Sequence, residues 1–91
     1  LHHGLAVAGD GTVLVYSSGA TSTRVAKLAI VSKRCVAQAL DTFEGAHDGP
    51  MSGANGEVSL VGLDSQGRVN GVHRKTSLRA AANVLLTGFF Q

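Results

Sequence analysis

The sequence predicts an α+β fold of ββαββα order, a mostly antiparallel sheet packed with one long and one short helix. Two observations carry that expectation. The first is a pattern that occurs twice: a short apolar run, a tight turn, a second apolar run, a polar break and a stripe of helical spacing. One copy runs Leu5 to Ala8, Gly9-Asp10-Gly11, Val13 to Tyr16, Ser17 to Thr23, then Arg24 onward. The other runs Val58 to Leu63, Asp64-Ser65-Gln66-Gly67, Val69 to Val72, His73 to Ser77, then Leu78 onward. The second observation is bulk composition. In 91 residues, 44% are hydrophobic and only 15% charged, so one small domain spanning 1–91 leaves apolar surface after folding, and a homodimer is expected.

The elements follow in order. Leu5–Ala8 and Val13–Tyr16 are apolar at every position, and strand geometry sends Val13 and Val15 to one face, Leu14 and Tyr16 to the other. Such a hairpin needs cover on both sides. Gly9 and Gly11 supply the positive φ that a tight turn requires. Ser17–Thr23 is a polar loop whose Thr21, Ser22 or Thr23 caps the next element. From there Val25, Leu28, Ala29, Ser32, Cys35, Val36, Ala39, Leu40 and Phe43 recur at three- and four-residue steps. That spacing predicts an amphipathic helix of about six turns over Thr23–Glu44, ended by Gly45, with Cys35 inert in its core stripe. Residues 45–56 hold four glycines and the only proline, which predicts a long loop. Val58–Leu63 reads as a central strand, and Arg68–Arg74, with Gly71, as one nearer an edge. Thr76 or Ser77 then caps a last helix, Leu78 to about Phe90, burying Leu78, Ala81, Ala82, Leu85 and Phe89.

No catalytic or metal signature stands out, and no cofactor is expected. A net charge of +2 without a dense basic stripe argues against nucleic acid. The single cysteine excludes an internal disulfide and a cysteine metal cluster. Sparse cysteine fits the cytoplasm. No apolar run approaches the roughly 20 residues that span a bilayer, so no membrane partner is expected. The chain shows no signal segment and does not begin with Met, which suggests a processed or trimmed chain or a fragment.

Two polar groups are candidate ligand sites. His47-Asp48 lies in the glycine-rich stretch, where a metal or acid–base pair competes with a solvated loop. Arg74-Lys75-Thr76-Ser77 precedes the expected last helix, where backbone N–H groups and cations favour a small anionic ligand or an acidic protein partner. The same residues also suit a capping and phosphorylation site.

The Leu5–Ala8 strand, the Gly9-Asp10-Gly11 turn, the Val13–Tyr16 strand, the Thr23–Glu44 helix and the Val58–Val72 strand pair together resemble the profilin-like domains of roadblock/LC7 proteins. The resemblance is topological; no helix precedes the first strand, and the tail reads as helix rather than a fifth strand. It implies a non-catalytic dimer that scaffolds or regulates small-GTPase or motor complexes. A similar arrangement occurs in small haem- and cobalamin-associated proteins related to glycolate-utilisation accessory factors, whose ligand residues have no placeable counterparts here. Residues 3–13, His3 to Val13, look like the histidine-bearing strand of permuted papain-like hydrolases of the lecithin:retinol acyltransferase type. That resemblance implies thiol chemistry with His3 as base, but the group's Asn-Cys-Glu-His-Phe motif is absent. The expected function is a non-catalytic homo-oligomeric interaction or regulatory module. The alternatives are a small-molecule-binding protein using the 45–56 loop and a small thiol hydrolase.

Overall fold

The computed structural model describes residues 2–52 and 56–89. Eight strands follow one another: β1 His2–Val7, β2 Val13–Ser18, β3 Ser22–Val31, β4 Arg34–Glu44, β5 Ala46–Ser52, β6 Val58–Leu63, β7 Val69–Lys75 and β8 Ala80–Leu85. They form a five-stranded sheet of order β1-β2-β3-β4-β8 and a three-stranded sheet of order β5-β6-β7, with every pairing antiparallel. The expected α+β class is therefore overturned: the architecture is all-β, and neither expected helix forms. The glycine-rich 45–56 stretch, expected as loop, is mostly β5; residues 53–55 lie outside the described residues. Among the described residues no helix is long and apolar enough to cross a membrane.

Both expected hairpins form, and their turns share one hydrogen-bond pattern. Ala8 N–H donates to Thr12 O at 2.8 Å and Gly11 N–H to Ala8 O at 3.0 Å; Asp64 N–H donates to Arg68 O at 2.8 Å and Gly67 N–H to Asp64 O at 3.0 Å. Gly11 and Gly67 hold φ of 88° and 79°, the left-handed position such turns reserve for glycine. The internal repeat is real, but it is a repeat of hairpins only.

The expected long helix is instead the β3–β4 hairpin. Ser32 and Lys33 form its two-residue turn with φ of 52° and 63°, between the paired Val31 and Arg34. Two consecutive positive φ values describe a type I′ turn, normally marked by Asn-Gly. A Ser-Lys pair gives no such mark. A register shift between Lys27 and Leu28, where Ala39 and Ala37 are the successive partners, leaves Gln38 as an extra residue and breaks the alternation of β4. A strand apolar on both faces and interrupted by a bulge mimics three- and four-residue spacing. Cys35, expected in a core stripe, is exposed beside this turn. Gly45, expected to end a helix, turns the corner between sheets at φ 92°, its N–H donating to Thr21 O at 2.9 Å.

The expected last helix is β8, held to β4 by Val36↔Leu85, Ala37↔Val84 and Ala39↔Ala80. Pairing with β4 overrides the helix propensity of its alanines. Ala82 and Leu85 are exposed, Leu78 and Ala81 partly buried, and Phe89 buried. Phe90 lies outside the described residues.

The sheets pack with β5 lying across β1, β2 and β3. On the inner face Leu14, Tyr16, Val25 and Phe43 meet Val58 and Leu60 of the second sheet. On the outer face Val15, Ala26 and Ala37 gather around Phe89, which arrives from the segment after β8. The Arg24 guanidinium fastens that segment, donating to Phe89 O at 2.6 Å and lying 5.0 Å above the Phe89 ring. Of the two-sided cover expected for the first hairpin, the second sheet supplies the inner side, while the tail covers β2 but leaves Leu5 and Val7 of β1 exposed on the outer side.

Candidate functional site

Period-2 geometry explains why histidines converge between the sheets. In β6, Val58, Leu60 and Gly62 point inward, and register places His47 opposite Gly62 and His73 opposite Leu60. The two imidazoles thus face each other diagonally across a glycine. A Cβ on Gly62 would lie 2.7 Å from His73 Cε1 and 2.5 Å from Asn70 Oδ1. The missing side chain is the space the His73 ring uses.

His47 has no exposed surface, and each of its polar atoms is engaged. Its Nδ1 lies 2.9 Å from Gly45 O and 3.0 Å from Thr23 Oγ1, its backbone N–H donates to Ser18 Oγ at 2.9 Å, and its carbonyl accepts from His2 Nε2 at 3.0 Å. Thr23 Oγ1 in turn donates to Gly45 O at 2.9 Å and sits 3.0 Å from Ser18 Oγ. Because Gly45 O can only accept, His47 Nδ1 carries the proton. Burial, reinforced by the charge His73 can carry, pushes the His47 pKa below the ordinary imidazole value and keeps the ring neutral. Its Nε2 therefore accepts from His73 Nδ1–H at 2.7 Å. His73 itself is exposed, so one histidine is structural and the other meets water. The Phe43 ring packs edge-on to His47 with centroids 5.5 Å apart.

The candidate residues divide. His47 and Asp48 do not form an acid–base pair in a loop: both are in β5, and they turn to different partners. Asp48 Oδ1 accepts from the Tyr16 hydroxyl at 2.6 Å, a bond that lowers the Asp48 pKa. The Tyr16 pKa is raised, by burial first and then by Asp48. Arg74 and Lys75 end β7; Arg74 pairs with Glu57 at 3.6 Å, and Lys75 lies 3.9 Å from Asp41 and 5.3 Å from the centre of the Phe43 ring. Thr76 and Ser77 are exposed in the β7–β8 connection, and with no helix behind them the expected helix-terminus anion site loses its basis. His73, which completes the histidine pair, was not singled out by sequence reasoning; the signal for it was the inward phase it shares with Lys75 in β7. A shallow groove of about 400 Å³ runs beside it, lined by Thr42, Phe43, Glu44, His73, Arg74 and Lys75. His3 and Cys35 sit on different strands of the large sheet. β1 and β4 are separated by β2 and β3, and the β3 residues in register with them, Arg24 and Ile30, lie about 20 Å apart along the strand. Within one copy they do not meet. Among the described residues no group of three or more His, Cys, Asp or Glu is placed to hold a metal ion.

His47 is thus enclosed, and the sheet edges are among the accessible features. β1 pairs with β2 in an unbroken register from His2↔Ser18 to Val7↔Val13, and its other edge is open. Leu5 and Val7 project from its outer face, each 64% exposed. The other sheet edges each carry an interruption. β5 contains Pro50 and a register break between Asp48 and Met51. β7 carries Arg74, Lys75 and Gly71 at φ 146°. β8 bulges around Asn83 at φ 53°. Proline, bulges and charges are the devices by which natural sheets avoid edge-to-edge contact. β1 has no proline, no bulge and no Lys, Arg, Asp or Glu; its polar residues are His2 and His3.

Comparison of the chain with family models, with curated proteins and with solved structures gave no match.

Proposed function

We propose that this chain is a non-catalytic assembly module whose copies pair edge to edge through β1. The supporting observation is the contrast among its edges: three are interrupted or charged, while β1 is regular and open, with Leu5 and Val7 exposed on its second half and His2 and His3 as its polar residues. Two antiparallel β1 strands related by a twofold axis would join two five-stranded sheets into one, satisfying backbone donors and acceptors that otherwise face water. The low charge of the chain favours such self-association. A reducing compartment such as the cytoplasm suits the exposed Cys35 thiol, which would be open to oxidation elsewhere.

The test is the solution mass by light scattering across a concentration series, for the native chain and for Leu5→Lys/Val7→Lys. The native chain is expected to be a dimer at about 100 μM, a concentration at which a complex of micromolar affinity is saturated. The lysine variant should be a monomer with an unchanged circular dichroism spectrum. A monomeric native chain, or a dimer that survives both lysines, refutes the proposal.

A further inference from the structure

We propose that the outer face of the five-stranded sheet binds a long-chain carboxylate, its tail lying in an apolar groove and its head on Arg34. The groove measures about 650 Å³, within the range of roughly 300–1,000 Å³ typical of small-ligand sites. Val13, Val15 and Leu28 line it from β2 and β3, and Leu5 and Leu86 from β1 and the tail. Along these residues the lining is apolar and gains by being covered.

The polar lining residues are Arg34 and Cys35 at the β3–β4 turn and Thr87 in the segment after β8, and Arg34 is the one charged group among them. Most cations of this chain are already engaged: Arg68 with Asp64, Arg74 with Glu57, Lys75 and Arg79 with Asp41, and Arg24 with Phe89 O. Among the described residues Lys27, Lys33 and Arg34 make no ion pair, and of these three Arg34 lines the groove. A guanidinium left unpaired beside an apolar groove matches an amphiphile with an anionic head, and its planar fork fits a carboxylate through two parallel N–H···O bonds. A neutral apolar ligand would leave this cation unused, and a peptide would bring backbone polar groups that the groove cannot satisfy. The site does not rest on β1 pairing, because an edge-to-edge dimer leaves the sheet face open.

Calorimetric titration of the intact chain with dodecanoate below its micellar concentration tests the proposal, with dodecanol as the uncharged control and anionic phospholipid vesicles as a third arm. Dodecanoate is expected to bind saturably, one per chain and more tightly than dodecanol. Arg34→Glu, an exposed position, should weaken dodecanoate tenfold or more and leave dodecanol unchanged, with the circular dichroism spectrum preserved. Absence of saturable binding to the native chain, equal affinity for dodecanoate and dodecanol, or equal dodecanoate affinity in Arg34→Glu overturns it. Binding to vesicles without binding to monomeric dodecanoate also overturns it, in favour of a membrane surface.

Discussion

The inner and outer faces of the five-stranded sheet are built from alternate residues of the same strands, yet they do different work. Inward, Leu14, Tyr16 and Val25 meet a second sheet, and every buried polar atom found there has a partner. Outward, Val15 and Ala26 meet one buried aromatic ring, Phe89, while Leu5, Val7 and Ile30 stand 64%, 64% and 72% exposed. One face is saturated with contacts from its own chain. The other keeps apolar surface exposed, so more of the burial that stabilises the fold lies on the first.

The sharpest way to break that division is a pair of leucine truncations. Leu60→Ala, at a site with no exposure, should cost about 2–5 kcal/mol in denaturant unfolding through lost burial and a residual cavity. Leu5→Ala on the outer face, measured at a concentration low enough for the chain to be monomeric, should change stability by no more than about 0.5 kcal/mol. Comparable losses at the two positions would mean that the outer face also holds the monomer together.

The histidine bridge gives the next effect. His47→Leu keeps an apolar filler of similar size but removes the acceptor of His73 and one of the two donors to Gly45 O, which keeps Thr23 Oγ1, an expected loss of about 1–3 kcal/mol. The same residue sets a pH dependence. Since the folded pKa of His47 lies below its unfolded value, the unfolded chain binds the proton more readily, and stability falls as pH drops below about 6.5. The slope it adds is at most about 1.4 kcal/mol per pH unit, the value for one proton. Asp48 acts in a separate, more acidic window: its lowered pKa gives stability that is lost as pH falls below about 4. Unfolding free energies at pH 5 to 8 should show the first slope in the native chain and a flatter profile in His47→Leu. An identical slope in both would remove His47 from the account.

How much of this was legible follows from where local signals and tertiary pairing agree. The hairpins at Gly9-Asp10-Gly11 and Asp64-Gly67 carry glycine exactly where a positive φ is needed, and they could be read. So could the two-faced character of Val13–Tyr16. The β3–β4 hairpin could not, because its turn is Ser32-Lys33 and its phase is reset at Gln38, so two strands looked like one helical stripe. Losing that turn moved Cys35 from surface to core and turned the Gly45 corner into a helix end. At the site, His47 was singled out for its neighbour Asp48, whereas its actual partners, Thr23 and His73, lie 24 and 26 residues away. Only strand register brings them together, and register was hidden once β5 was taken for a loop.

The finest comparison lies within the inner face, between Gly62 and the ring it admits. In Gly62→Ala the new methyl group meets the ends of the Asn70 and His73 side chains, both on exposed residues free to swing outward. The backbone is not forced, so the expected cost is that of the His47–His73 hydrogen bond, about 1 kcal/mol, partly offset because alanine loses less entropy than glycine on entering a strand. If the glycine exists to seat His73, the same substitution in a His73→Ala background should cost less, leaving only the shift of the Asn70 side chain. A double-mutant cycle would then show a coupling of about 1 kcal/mol. A cycle that closes to zero would mean that the methyl group and the imidazole do not compete, and that Gly62 is retained for the passage of the strand itself.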